Sequence, residues 1–167
     1  MTIQVGDRIP DAKLGESIEF GEACPVSPAM ISVAEATKGK KVVMFGLPGA
    51  YTPTCSAKHV PGFLTHLDAL KKKGVDEVWC LSVNDGYVMA AWGRDVKGIG
   101  KLRFLGDGNA DFARALGIDN DLNKAGMGVR MKRFSMLVND GVVEKVFVEE
   151  PGKFEASTAE AMLASLA

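Results

Sequence analysis

The chain has few cysteines and few histidines, and this excludes two common kinds of site. Its three cysteines, Cys24, Cys55 and Cys80, are an odd number at wide spacing, and no CxxC pair occurs. Such a set is not typical of a disulfide framework. The two histidines, His59 and His66, are too few to complete a convincing metal site with the cysteines. We therefore expect no metal, no cofactor and a reducing compartment.

Strong net charge and long apolar runs are also missing. Twenty Lys and Arg residues against 21 Asp and Glu give a net charge of -1, so nothing indicates binding to nucleic acid or to an anionic membrane. No apolar run approaches the ~20 residues of a membrane span. The N-terminus shows no basic region followed by an apolar stretch, the pattern of a signal peptide. The predicted location is the cytoplasm.

Alternating apolar and amphipathic segments predict a single α/β domain over residues 1–167. At 167 residues with 47% hydrophobic residues, the chain suits one core. After a region of extended segments and turns, the predicted order is strand, helix, strand, helix, strand, short helix, hairpin, helix. The predicted strands cover 42–47, 78–83, 102–105, 134–138 and 142–148. This order favours a mixed central sheet covered by helices, compatible with a thioredoxin-like fold.

Local signals set the expected helix boundaries. Pro61 falls inside a predicted helix over about 54–73 and should kink it. Asn84 or Asp85 can cap a helix that starts near residue 86, and Asn109 can cap the short one after it.

Two further signals lie near the C-terminus. Asn139-Asp140-Gly141 is typical of a hairpin turn between the last two strands. Ser157-Thr158-Ala159-Glu160 fits a capping box for a final helix that runs to about residue 166.

The most informative segment places Cys55 in the first turn of a helix that follows a buried strand. Backbone N–H groups there lack intrahelical partners and the helix dipole is positive, so a thiolate is favoured. A buried, inert cysteine is the alternative. Thr52 lies three residues earlier and can be a plain helix cap that accepts from the Cys55 N–H, with Pro53 at the first helical position.

The residues around Cys55 carry a specific resemblance. Pro48, Thr52 and Cys55 match the PxxxTxxC signature of peroxiredoxins. The similarity covers nearly the whole chain and is closest to the peroxiredoxin-5 group, with its plant type II and bacterial glutaredoxin-linked forms. The segments that resemble this group are 46–56, 59–63, Ser82-Val83-Asn84-Asp85, Ala91-Trp92 and Arg133-Phe134-Ser135-Met136.

The resemblance implies a role for each residue of the signature. Cys55 is implied to be the peroxidatic cysteine, whose thiolate attacks a hydroperoxide and becomes a sulfenic acid. Thr52 would bind the sulfur and the peroxide through its hydroxyl, and Pro48 would shield the sulfur from bulk water. Arg130 matches the active-site arginine, which would favour the thiolate and the charge on the leaving oxygen. Arg133 also matches a position of the family, and we expect it to have a supporting role.

The resemblance also raises the question of how the sulfenic acid is reduced. Many peroxiredoxin-5 proteins use a late cysteine, but the matching region 151–157 contains none. Cys80 resembles the second cysteine of plant type II forms, yet it lies inside a predicted buried strand, so a core or redox-modulating role competes with a resolving one. Cys24 has no counterpart and is expected to be structural or incidental. Glutathione with glutaredoxin is the expected reductant, and thioredoxin is an alternative.

Three further residues near the signature have two or more interpretations. Tyr51 stands where the group usually has phenylalanine, and it can fill core space or form a dimer contact near the active site. His59 lies four residues after Cys55 and can act as a base for the thiol, pack in the core or contact a second subunit. Trp92 is expected to pack its helix. A homodimer is predicted.

The sequence therefore favours a thiol peroxidase for hydrogen peroxide and small alkyl hydroperoxides. A peroxide-responsive redox sensor or interaction protein is the competing hypothesis, and a thioredoxin-like scaffold without chemistry is the third.

Overall fold

A computed structural model describes residues 1–166 as nine strands, six α-helices and two short helices of other types. The strands are β1 (Lys13–Glu16), β2 (Ala29–Ser32), β3 (Lys41–Leu47), β4 (Glu77–Ser82), β5 (Arg103–Gly106), β6 (Asp119–Asp121), β7 (Val129–Met131), β8 (Phe134–Asn139) and β9 (Val142–Val148). The α-helices are α1 (Val33–Thr37), α2 (Val60–Thr65), α3 (Leu67–Lys72), α4 (Gly86–Asp95), α5 (Asp111–Leu116) and α6 (Ala159–Ser165). A π-helical turn covers Cys55–His59, and a 3₁₀ turn covers Asn123–Ala125.

Seven strands form one sheet in the order β2-β1-β5-β4-β3-β8-β9, and β6 and β7 pair separately. The contacts of β4 with β3 and β5 are parallel, whereas β8 is antiparallel to both β3 and β9. Six of the seven residues of β3 are buried, as expected for a central strand with a core on each face. The mixed, helix-covered sheet and the thioredoxin-like fold class are confirmed. Among the described residues, no helix has the length and hydropathy to span a bilayer.

The helix after β3 differs from the prediction in where it is irregular. Helical structure begins at Pro53, passes through the π-helical turn and continues in α2. The Val60 N–H bonds to the Cys55 carbonyl five residues back, so the helix widens just before Pro61. Because proline has no N–H to continue the α-helical ladder, we attribute the π-turn to Pro61 in place of the predicted kink. The helix axis instead breaks at His66, between α2 and α3.

Most predicted turn and cap signals are confirmed, with two corrections. The Asp85 side chain caps α4 by accepting from the Val88 N–H. Asn109 does not cap α5; the buried Asp107 carboxylate accepts instead from the N–H groups of Phe112 and Ala113. This cap was missed because Asp107 lies four residues before the helix, outside the usual capping position.

Of the two signals near the C-terminus, the hairpin turn is confirmed and the helix cap is shifted by one residue. Asp140 and Gly141 both have positive φ angles, 48° and 80°, and form the predicted hairpin turn between β8 and β9. The final helix is capped one residue later than predicted, because Thr158 rather than Ser157 accepts from the Ala161 N–H.

An ion-pair cluster joins the ends of three strands. Arg103 of β5 donates two hydrogen bonds to Glu16 of β1, at 2.9 and 2.6 Å, and one to Glu77 of β4 at 3.1 Å. Its guanidinium also lies 5.2 Å from the ring centroid of Trp79. The Arg103 and Glu16 side chains are only 27% and 12% exposed, so each depends on its partner for solvation.

We expect Arg103→Met to lower the free energy of unfolding by ~2–4 kcal/mol, because it leaves the partly buried Glu16 without its cation and leaves Glu77 with Lys40 alone. The exposed Arg114 donates to a backbone carbonyl, and Arg114→Met is the matched control with an expected loss of ~0.5 kcal/mol or less. Urea unfolding monitored by tryptophan fluorescence measures both. Equal losses for the two variants would contradict the role given to the cluster.

Candidate active site

Cys55 lies where β3 has ended and the following helix begins. Its side chain is fully buried, in an apolar cluster between the sheet and the helices that pack on this face. Among residues 1–166 the Cys55 N–H has no hydrogen-bond acceptor. The sulfur thus lies at the positive end of the helix beside a free N–H, which is the placement that the sequence predicted.

Arg133 is the cation that contacts the sulfur. Its Nη2 donates to Cys55 Sγ at 3.2 Å, and its Nη1 donates to His59 Nδ1 at 3.0 Å. Arg133 directly precedes β8, and its neighbour Phe134 pairs with Gly46 near the end of β3. The sheet register therefore carries the guanidinium to the position where β3 leads into the Cys55 loop, within hydrogen-bond distance of the sulfur.

His59 holds Arg133 in place as a neutral ring. Because an arginine only donates hydrogen bonds, His59 Nδ1 must be the acceptor, and the ring proton is on Nε2, which donates to the Ser157 carbonyl at 2.9 Å. Burial, with the Arg133 charge added, lowers the pKa of His59 to about 3. The ring is 1% exposed, so the predicted dimer contact is wrong and the packing interpretation is confirmed. The ring does not face the thiol as a base would.

Arg130 has a different position from the one predicted. Its Nη1 donates to the Pro48 carbonyl and its Nε to the Met127 carbonyl, both at 2.9 Å. A Cβ atom on Gly49 would lie 2.5 Å from Arg130 Nη1, so a larger residue at this position would displace the guanidinium. The sulfur contact that we had assigned to Arg130 belongs to Arg133, and the supporting role is that of Arg130. The reason is register: Arg130 belongs to the separate β6–β7 pair.

Thr52 and Pro48 belong to the loop between β3 and the helix that carries Cys55. The Thr52 hydroxyl donates to the Gly49 carbonyl at 2.8 Å, which tightens the loop between β3 and the helix. Thr52 directly precedes the first helical residue, but its side chain bonds back into the loop and does not accept from the Cys55 N–H. Its contact with sulfur and peroxide stays a prediction, as does the shielding of the sulfur by Pro48.

Tyr51 and Trp92 lie on the outer side of this loop. Tyr51 is 52% exposed, which excludes the core-filling interpretation and leaves the dimer contact as a prediction. Its hydroxyl donates to Asp95 at 2.6 Å; partial burial and this carboxylate raise the pKa of Tyr51 to about 12. Trp92 is fully buried and donates from Nε1 to Ser56 Oγ at 3.0 Å. Its predicted packing role is confirmed.

The other two cysteines are poor partners for Cys55. Cys80 is fully buried inside β4 and is a free thiol. Burial, together with the neighbouring Cys55 sulfur, raises the pKa of Cys80 well above its ordinary value, so Cys80 is held as an unreactive thiol. Cys24 is free and exposed in the loop between β1 and β2, so it has no packing role.

One part of the site had no signal in the sequence. The buried Glu149 carboxylate accepts from Ser157 Oγ, the Ser157 N–H and the Glu155 N–H. Burial would raise the pKa of Glu149, but these hydrogen bonds lower it overall. They fix the segment that carries Phe154, whose ring packs edge-on against His59 at 5.1 Å and lies 5.6 Å from the Arg133 guanidinium.

Comparisons of this chain with family models, curated proteins and solved structures all agree on one family. The family model described as Redoxin matches residues 4–163. Peroxiredoxin-2B of Arabidopsis thaliana is 44% identical, with 98% of each chain covered. Reduced Prx3 of Vibrio vulnificus, solved in complex with hydrogen peroxide, is 41% identical with a TM-score of 0.91 over 99% of this chain and 100% of that one. Peroxiredoxin 5 of Alvinella pompejana is 33% identical with a TM-score of 0.84, covering 98% of this chain and 97% of the other.

Proposed function

The chain belongs to the redoxin family and is a peroxiredoxin, a thiol peroxidase of the group that includes the plant type II proteins and peroxiredoxin 5. From this premise we propose that it reduces hydrogen peroxide and small alkyl hydroperoxides through Cys55. The contact between Arg133 Nη2 and Cys55 Sγ at 3.2 Å is the observation that carries the proposal. The hydrogen peroxide complex of the Vibrio vulnificus relative supports the choice of substrate.

The proposed oxidation is a single displacement at the peroxide. The Cys55 thiolate attacks one peroxide oxygen, the O–O bond breaks, and the second oxygen leaves as water or an alcohol after taking up a proton. The sulfur is oxidised to a sulfenic acid and the peroxide is reduced. Arg133 donates to the sulfur in the resting enzyme, and the same fork of N–H groups can stabilise the charge that moves to the leaving oxygen.

An external thiol then completes the cycle. The segment 151–157, where a late cysteine would lie, contains none, Cys80 is buried and Cys24 lies on another loop. Glutathione would form a mixed disulfide with Cys55, and glutaredoxin would release it. We further propose a cytoplasmic homodimer with Tyr51 in the contact.

The test is peroxide-dependent NADPH oxidation with glutathione, glutaredoxin and glutathione reductase, compared with a thioredoxin system. Cys55→Ser should abolish turnover with both, because serine cannot form the sulfenic acid. Faster turnover with glutaredoxin supports the proposed reductant, and faster turnover with thioredoxin contradicts it. If Cys55 forms a sulfenic acid but neither system supports turnover, the redox-sensor hypothesis replaces the catalytic one.

Cys80→Ala should leave the turnover rate unchanged. The Cys80 thiol is fully buried inside β4, and its raised pKa keeps it protonated, so it is a poor nucleophile toward the Cys55 sulfenic acid. We expect a loss of ~1 kcal/mol in unfolding free energy from the smaller side chain. Loss of turnover in the glutaredoxin system, with the fold intact by circular dichroism, would show instead that Cys80 resolves Cys55.

A further inference from the structure

A groove of about 520 Å³ opens beside the buried sulfur. Its lining includes Pro48, Thr54 and Arg133, of which Thr54 directly precedes Cys55 and Arg133 contacts its sulfur. One wall is the segment 150–154, which carries Phe154. The Cys55 side chain itself has no exposed surface, and this groove lies next to it because Arg133, which contacts its sulfur, lines the groove.

Three exposed lysines from three different parts of the chain meet at this groove. Lys58 belongs to the π-helical turn, Lys132 precedes Arg133, and Lys153 precedes Phe154. Within residues 1–166 none of the three forms an ion pair. They are therefore free to bind a ligand without breaking an existing contact.

The groove also contains two carboxylates, and they differ in availability. Glu149 is committed to three hydrogen bonds with its own loop, whereas Glu150 is exposed. The accessible groups are thus three ammonium groups and one carboxylate, beside the apolar ring of Phe154. This set complements a small molecule with more than one carboxylate, one ammonium group and a short apolar part.

We propose that the groove is the recognition site for a carboxylate-bearing peptide thiol of the glutathione type. Lys58, Lys132 and Lys153 bind its carboxylates, and Glu150 accepts from its ammonium group. The proposal rests on the proposed function, since the thiol serves as the reductant. The thiol sulfur attacks the Cys55 sulfenic sulfur, an S–S bond forms, and the S–O bond breaks. The hydroxyl leaves as water with the thiol proton; the Cys55 sulfur is reduced and the thiol sulfur is oxidised.

The experiment compares glutathione with glutathione diethyl ester, which has the same thiol but no free carboxylates. Cys55 is first oxidised with stoichiometric hydrogen peroxide, and the rate constant for reduction of its sulfenic acid is measured by stopped flow for each thiol. We expect the wild type to react ~10-fold faster with glutathione, since three exposed ion pairs each contribute a factor of up to ~5. The variant Lys58→Gln/Lys132→Gln/Lys153→Gln should react with both thiols at the rate of the ester.

A matched triple variant at exposed lysines that do not line the groove, Lys72→Gln/Lys73→Gln/Lys101→Gln, has the same change in net charge and should keep the preference for glutathione. Equal rates for glutathione and its ester in the wild type would overturn the proposal. So would an equal loss of preference in the two triple variants.

Two further measurements separate this proposal from the proposed function. The rate at which neutral hydrogen peroxide oxidises Cys55 should be the same in the wild type and in both triple variants. If the wild-type sulfenic acid is reduced by neither thiol, glutathione is not its reductant, and the proposed reductant fails together with the groove, while peroxide reduction through Cys55 stands. If both thiols reduce it equally fast, the proposed function stands and only the assignment of the three lysines fails.

Discussion

Arg133→Met should slow the oxidation of Cys55 by hydrogen peroxide about 10²–10³-fold, the usual effect of removing a preorganised transition-state donor. In the structure this guanidinium is the charged group that contacts the sulfur, at 3.2 Å. Arg130→Met is the matched control, because it removes the same charge and a comparable pair of hydrogen bonds from the loop in front of the site. We expect its effect to be tenfold or less, since it disturbs positioning alone.

The pH dependence of the Arg133→Met rate distinguishes two ways in which Arg133 can act. An ordinary cysteine is already a few per cent thiolate at neutral pH, so complete ionisation gains only ~30-fold, or ~2 kcal/mol. If Arg133 served only to ionise the sulfur, raising the pH would restore the rate of the variant. If Arg133 also stabilises the leaving oxygen, a deficit remains at a pH where the thiol is fully ionised.

Stopped-flow oxidation rates from neutral to alkaline pH, with thiolate absorbance recorded in parallel, make this measurement. Arg133→Lys adds a second comparison, because it keeps the charge but cannot bridge Cys55 and His59 with one planar fork. A large loss in Arg130→Met with a small loss in Arg133→Met would restore the assignment that the sequence resemblance suggested.

The roles of Arg130 and Arg133 are the reverse of those predicted, and the reason lies in strand register, which the sequence alone does not reveal. Arg130 and Arg133 lie three residues apart and both match positions of the family, so no local pattern separates them. What separates them is strand register: β8 pairs with β3 and brings Arg133 to the end of that strand, while Arg130 lies on the two-stranded β6–β7 sheet. Register depends on pairing between distant segments, and the short β6 and β7 strands were not predicted.

The parts that were predictable depend on short-range patterns. The buried strand before Cys55, the helix start at Pro53 and the hairpin turn at Asp140 and Gly141 each follow from neighbouring residues. The contacts that organise the site span much longer separations. His59 and Ser157 are 98 residues apart in the chain, and Arg133 and Cys55 are 78 apart, so nothing within one predicted element reveals them.

The neutral state of His59 makes stability depend on pH in a defined window. The pKa of His59 in the folded chain is lowered to about 3, whereas in the unfolded chain it is ~6.5. Below pH ~6.5 the unfolded chain binds a proton at His59 that the folded chain does not bind, so unfolding becomes easier on acidification. The expected decrease in the free energy of unfolding is roughly 1.4 kcal/mol per pH unit, or ~2 kcal/mol between pH 6.5 and pH 5. Carboxylates such as Glu149, whose pKa is lowered below 4.5, contribute little in this window.

Two replacements of His59 separate its effect on stability from its effect on Arg133. His59→Asn keeps an acceptor near the position of Nδ1, so Arg133 stays in place and the peroxide rate should be largely retained. His59→Leu removes that acceptor, and the released guanidinium should slow oxidation of Cys55 by about tenfold or more. Both remove the titrating ring, so both should lose the pH dependence of unfolding between pH 6.5 and pH 5, whereas His66→Asn should keep it.

Urea unfolding at several pH values and stopped-flow oxidation rates provide the two readouts. Each of the two His59 variants should also lose ~2–3 kcal/mol of unfolding free energy at neutral pH. The His59 ring packs among Phe45, Phe63 and Phe154, and its removal leaves a cavity. A pH slope that persists in both His59 variants would mean that another group titrates in this window. Equal peroxide rates in His59→Asn and His59→Leu would mean that Arg133 keeps its position without the Nδ1 acceptor, and that His59 acts through packing alone.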